Sequence, residues 1–402
     1  MRRTKIISCC CLFVGFLLLS VIFLCDHVVY GSEVRGVTKD TIKVGIIMDM
    51  TGPAAAQTPD ILNASKNYIR HVNDEGGVNG REIKLLLEDS RYTVPAALAA
   101  FKKLVFKDKV FHIMGTVSSH GSRALLSRCK ASKVTMTPYV APKALVEPLN
   151  RYTFISVSNY GDQAEVTADY IMKEMDFDKP RIAIVYCDNP YGKDYLTAAI
   201  EYLKLYGVKP VDKQVINPGA MDATTQLFGL KRAGATHIMF QGIESGITAF
   251  LREMKKYKYT PYVFGNYAAC TEIAIKRIPD MAPYYFGNSV FSSWYEDTPG
   301  MGKVREITLK YHPGTERPYR TKLYTLGWAV SVILAEGLKK AGKNLSTETL
   351  IDALESLKDF DTGGVIAPIP RPAINQIAVP QSIRHMQRRG NSYALGVGEN
   401  RF

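Results

Sequence analysis

The segment 42–90 constrains what this chain can fold into more than any other. IKVGIIMDMTGPAAA (42–56) is an apolar run closed by a tight Gly52-Pro53 turn, and EGGVNGREIKLLLEDS (75–90) is a Gly-rich turn that opens a second apolar run. Between them Ile61, Leu62, Ser65, Tyr68, Ile69 and Val72 recur three and four residues apart, which predicts a helix over 59–75 with one buried face. Gly76-Gly77 ends that helix, because glycine tolerates the left-handed backbone that closes one, and Asn79-Gly80 turns the chain into the next strand. Strand, helix and strand in this order make a βαβ unit of a parallel sheet.

The rhythm repeats. Short apolar strands are expected at 110–114, 134–137, 181–187, 237–241 and 262–265. Amphipathic helices are expected at 94–107, 121–130, 162–176, 192–206, 224–233 and 246–257, with Gly207 and Gly234 standing just past two helix ends. Alternation of this kind gives a doubly wound α/β sheet. Two segments, RYTFISVS (151–158) and PYYFGNSVFS (283–292), interrupt it as crossing strands. A later helix over 319–341 carries Leu323, Leu326, Val330, Ile333, Leu334 and Leu338 on one stripe.

A length of 402 residues suits two domains, and ordinary apolar and charged fractions exclude disorder as the default. The formal charge of +13 raises the question of nucleic acid. Part of the excess sits at the ends, in Arg2, Arg3, Lys5, Arg371, Arg384, Arg388, Arg389 and Arg401, and elsewhere Lys and Arg stand beside Asp and Glu on helix faces. With no zinc-finger spacing, RNA-binding signature or basic-aromatic stripe, nucleic acid is not an expected partner.

MRRTK precedes an apolar run over 6–25, and small residues Val29 and Gly31 follow, so 1–31 reads as a secretory signal cut after Gly31. A run of that length can also remain as an N-terminal membrane anchor; either way the folded part is exported to a periplasmic or extracytoplasmic location. Four of the seven cysteines lie in that segment. Cys129, Cys187 and Cys270 are odd in number and far apart, so they read as buried small hydrophobes rather than a disulfide or metal set.

These consecutive motifs together resemble the leucine/isoleucine/valine-type solute-binding proteins of ABC transporters. The resemblance implies a type I periplasmic binding fold, with two doubly wound α/β lobes joined by crossover hinge strands. One lobe would take 40–153 plus 288–358 and the other 158–284 plus 360–370. The helix over 319–341 would return to the first lobe. From Pro368 the resemblance fades, and 371–402 is a basic tail expected to be poorly ordered.

In an open parallel sheet, ligands bind outside the carboxyl ends of the strands. The loop 116–121 places Ser118 and Ser119 at a helix start, which suits a carboxylate, although such serines also serve merely as N-caps. In the family this loop grips the ligand carboxylate. The loop 137–142 reads Ala141 where relatives carry a threonine, leaving Val140 and Ala141 to contribute backbone groups. Tyr191, in Asp188-Asn189-Pro190-Tyr191-Gly192, resembles a tyrosine that covers the ligand from the second lobe, the alternative being a ring on the surface. Thr58 stands where relatives often place an aromatic residue.

At the position where amino-acid-binding relatives supply an acid for the ligand ammonium, this chain has Tyr267, and Ile243 precedes Glu244 where an aromatic residue is frequent. A buried ammonium left unpaired costs several kcal/mol. Either Glu244 takes over that task, or the ligand lacks an amino group, with Tyr139, Tyr191 and Tyr267 as walls. No HExxH, GxSxG or phosphate-loop motif is present, and His120 beside Ser118-Ser119 has no evident third partner, so no catalytic residue, metal or cofactor is expected. The expected partners are a small carboxylate-bearing ligand and a membrane permease, with the protein acting as a monomer. A ligand-sensing receptor not coupled to transport shares this fold and is the alternative; it expects a signalling domain downstream.

Overall fold

The computed structural model describes residues 34–313, 320–357 and 360–366. The expected targeting segment 1–31 and the tail 371–402 lie outside the described residues. The elements all belong to the unit that runs from Arg35 onward.

Two parallel sheets organise that unit. The first has β1 (Thr41–Met48), β2 (Glu82–Asp89), β3 (His112–Met114) and β4 (Thr135–Thr137), in the order β2-β1-β3-β4. The second has β5 (Ile182–Tyr186), β6 (Asp212–Val215), β7 (His237–Gln241), β8 (Tyr262–Gly265) and β9 (Tyr285–Gly287), in the order β6-β5-β7-β8-β9. Every pairing within both sheets is parallel. Helices α1 (Thr58–Asp74), α2 (Val94–Lys102) and α3 (Ser119–Ser132) connect the first set. α4 (Tyr160–Lys173) leads into the second set, connected by α5 (Pro190–Lys204), α6 (Thr224–Arg232), α7 (Glu244–Tyr257) and the short α8 (Glu272–Arg277). This is the expected α/β class with two doubly wound sheets.

Each sheet has its own core, since buried strands need apolar cover on both faces. Ile47, Phe101, Leu104, Ile113, Leu125 and Met136 form the first, and Val185, Leu227, Ile238, Phe240, Phe250 and Met254 the second. After β9 the chain returns to the first side through α9 (Pro299–Tyr311), α10 (Lys322–Ala341) and α11 (Thr347–Glu355). α10 lies against α1: a Cβ on Gly327 would stand 2.1 Å from the Ile61 carbonyl oxygen, so only glycine lets the two backbones approach this closely. Ser65 Oγ then donates to the Gly327 carbonyl at 3.2 Å, and Asn67 Nδ2 to the Tyr324 hydroxyl at 2.9 Å.

Three segments differ from the sequence expectation. Residues 151–158 form no strand; Thr153 makes an isolated parallel bridge to Met136. Within 283–292, Tyr285–Gly287 is a sheet strand beside β8 and Phe291 then bridges to Ile366. Of residues 360–370, expected with the second lobe, 367–370 lie outside the described residues. Val365 packs with Ala64, Met301, Val304 and Trp328, on the first-sheet side. The reason is that Val365 is apolar and the α9–α10 layer leaves it a buried seat, while Gly300 N–H donates to the Gly363 carbonyl at 2.8 Å. Among the described residues no helix is long and apolar enough to cross a membrane.

Candidate functional site

The carboxyl ends of both sheets face one another across a cavity of about 30 Å³. On the measure by which one water needs ~10–15 Å³, this is room for a few waters, so the walls lie close together. From the first side Gln57, Ile61, Tyr92, Val117, Ser119 and Tyr139 line it. Tyr191, Ile243 and Tyr267 close it from the second, Tyr160 stands between, and Leu323 and Leu326 of α10 form an apolar end.

Local sequence explains how the rings are held. Asn189 caps α5, its side chain accepting from the Gly192 N–H at 3.1 Å. A Cβ on Gly192 would sit 2.0 Å from the Cys187 carbonyl oxygen, so glycine lets the first turn of α5 press on the end of β5. That fixes Tyr191, whose hydroxyl donates to the Gly242 carbonyl at 2.7 Å and accepts from Asn266 Nδ2 at 2.6 Å. The Tyr160 ring meets Tyr191 edge-on at 5.0 Å and stacks on Tyr267 at 6.2 Å. The Tyr160 hydroxyl shares a hydrogen bond with Ser119 Oγ at 3.1 Å and accepts from the Ala141 N–H at 3.3 Å. Burial pushes the Tyr160 phenol up to about 12 and holds Tyr139, Tyr191 and Tyr267 well above their ordinary range, so every hydroxyl here is neutral.

Two hydrogen bonds join the halves at the cavity itself. Gln57 Nε2 donates to the Ala268 carbonyl at 2.8 Å, and the Tyr267 hydroxyl donates to the Tyr139 carbonyl at 3.2 Å. Beyond it, the Lys143 N–H donates to Asp194 Oδ2 at 2.9 Å.

Of the residues picked from sequence, Ser119, Val140, Tyr191 and Tyr267 line this cavity together. Ser118 does not: its hydroxyl turns to Thr116 Oγ1 at 3.1 Å, and it stands at the N-cap position of α3 without capping. Ala141 sits behind Tyr160, offering it the N–H just described. Thr58 donates back to the Ala55 carbonyl at 3.3 Å, and its neighbour Gln57 takes the place on the wall. Glu244 is not on the wall: Thr248 Oγ1 at 2.9 Å and Arg277 at 3.1 Å hold its Oε1.

Sequence reading missed Gln57, Tyr92 and Tyr160 as wall residues. Tyr92 had a usable signal: it follows the carboxyl end of β2, the one strand-end loop of the opening βαβ unit left unconsidered.

The model of the periplasmic binding protein family matches residues 41–378. The chain belongs to this family. The periplasmic binding proteins it is similar to include Leu/Ile/Val-binding protein BraC3 of Rhizobium johnstonii, 24% identical over 80% of this chain and 85% of the relative. Leu/Ile/Val-binding protein homolog 3 of Brucella melitensis is 27% identical over 50% of this chain, which spans only 54% of that relative's length. Among solved structures, the fatty acid ABC transporter substrate-binding protein from Thermomonospora curvata superposes with a TM-score of 0.77 at 22% identity, covering 86% of this chain and 88% of that one. The branched chain amino acid ABC transporter from Thermus thermophilus with bound valine gives 0.77 at 20% identity, covering 85% and 91%. At these identities the likeness shows a shared fold. The family and these neighbours are substrate-binding proteins, not enzymes.

Proposed function

We propose that this chain is the extracytoplasmic solute-binding protein of an ABC importer, exported by its N-terminal segment and presenting its loaded form to a membrane permease. The ligand is a small carboxylate-bearing molecule, an apolar amino acid or a related acid or amide, trapped between the two lobes by hinge closure. The observation that carries this reading is the cavity between the carboxyl ends of the two sheets, walled by Ser119, Tyr160, Tyr191 and Tyr267. Ser119 opens the 14-residue helix α3, so its hydroxyl and the first-turn N–H groups suit a carboxylate. The rings supply apolar area with polar tips. A micromolar dissociation constant, about 8 kcal/mol, is the expected scale.

A thermal-shift panel of amino acids, carboxylic acids, amides and urea identifies the ligand class, since a ligand that binds only the folded state raises Tm. Calorimetry on Tyr191→Ala and Ser119→Ala then tests the cavity. Each variant is expected to weaken binding by about tenfold or more. Unchanged affinity in both refutes the assignment of the site.

A further inference from the structure

Resting on the reading of this cavity as the ligand site, we infer that its ligand is a small apolar or aromatic carboxylic acid that carries no ammonium group. Among the described residues, every side chain on the wall is uncharged: one serine, tyrosines, one glutamine amide and hydrocarbon. An ammonium brings three donors and a full charge, and in a closed site it needs a carboxylate or several free acceptors.

The tyrosine oxygens are poor candidates, because a neutral phenol offers an ammonium no countercharge and those of Tyr160 and Tyr191 already accept from the protein. Tyr191 donates to Gly242 and accepts from Asn266, Tyr160 is engaged by Ser119 and the Ala141 N–H, and Tyr267 is turned to the Tyr139 carbonyl.

The nearby acids stand off the wall; Asp49 and Glu244 are held by protein partners, while Glu272 keeps Oε1 without one. Asp49 lies behind Tyr92 and Val117, with Oδ1 taken by Ser90 Oγ and the Tyr92 N–H and Oδ2 by the Val117 N–H. Glu244 holds Arg277 and Thr248. Glu272 accepts from the Lys322 N–H at 3.3 Å, while Lys322 Nζ lies 3.6 Å from Cys270 Sγ. None of these carboxylates is on the wall. A carboxylate group is better served, by the hydroxyl and N–H groups where α3 begins. Once the walls part beyond the few-water room they leave here, the remainder of the ligand would meet Ile61, Val117, Leu323 and Leu326.

The test is calorimetry on the full chain with matched pairs that differ only in the amino group: leucine against 4-methylpentanoate, and phenylalanine against 3-phenylpropanoate. The acid of at least one pair is expected to bind about tenfold or more tighter than its amino acid. An amino acid that binds as well as its acid, or better, overturns the inference while leaving the binding function intact. No heat from either member of both pairs, with an amino acid, an amide or urea of the panel bound instead, also overturns it; no binding by anything sinks the solute-binding reading itself. Tyr267→Asp supplies a carboxylate at the wall and is expected to shrink the preference for the acid. A ratio that stays put counts against charge matching as its cause.

Discussion

His112 shows how a single buried residue couples this fold to pH. It is fully buried on β3, with Nδ1 2.8 Å from Thr135 Oγ1. Burial disfavours the imidazolium and lowers its pKa to about 3, from an ordinary 6.5. The folded value lies below the unfolded one, so as pH falls the unfolded chain takes up the proton first. The stability this residue contributes is therefore complete above pH ~6.5 and is lost as pH drops toward 3. His237, lowered by burial to about 4, acts with the same sign over a narrower window. His112→Gln is expected to remove one proton from the dependence between pH 6 and 4, flattening unfolding free energy against pH by about 1.4 kcal/mol per unit. Urea titrations across that range read the slope; one that matches the wild type would show that His112 does not titrate on unfolding.

Gly192 ties one element to another. With a Cβ 2.0 Å from the Cys187 carbonyl, Gly192→Ala must push α5 off the end of β5, and the expected loss is about 1–3 kcal/mol in urea denaturation. Because Tyr191 is the preceding residue, ligand affinity should fall in the same variant. A fully stable Gly192→Ala would mean the turn relaxes without strain.

The elements themselves were largely legible. β7 and β8 coincide with their expected ranges, and the helices start within two or three residues of theirs, because buried parallel strands and amphipathic helices announce themselves by apolar content and period. What escaped had a physical reason. β6 (DKQV) is an edge strand with polar side chains, so no apolar run marks it. The helix expected over 94–107 changes to a π-turn at 103–107, a register shift that periodicity does not encode. In the site, Ser119, Tyr191 and Tyr267 were readable as loop residues after strands. Tyr160 was not, since it sits at a helix start after a segment that resembles a strand, and only the crossing of the chain brings it to the wall. Glu244 stands off the wall that its neighbour Ile243 lines, and its place in the sequence says nothing of Arg277, 33 residues on, which pairs with it.

At the scale of the whole molecule, the proposed hinge closure would be driven by contacts that only the closed arrangement makes. One such bridge stands apart from the ligand walls: Lys322 at the start of α10, on the first side, against Cys270 and Glu272, on the second. Both charged residues are buried, and burial pushes the Glu272 carboxyl up while Lys322 pulls it back. On the proposed opening both charges return to water, where their attraction is worth little. The bridge therefore weighs almost entirely on the closed state. Lys322→Met keeps the length of the side chain and removes the charge. In the hinge reading it should weaken ligand binding by about tenfold, the equivalent of ~1.4 kcal/mol of closed-state stabilisation, and leave the Tm of the ligand-free protein nearly unchanged. Small-angle scattering should then show the liganded wild type more compact than the ligand-free protein, and the variant requiring more ligand to reach the same compactness. The opposite pattern, a lowered ligand-free Tm with affinity untouched, would mean that the two sides are packed together permanently and that Lys322 holds a fixed interface rather than a closing one.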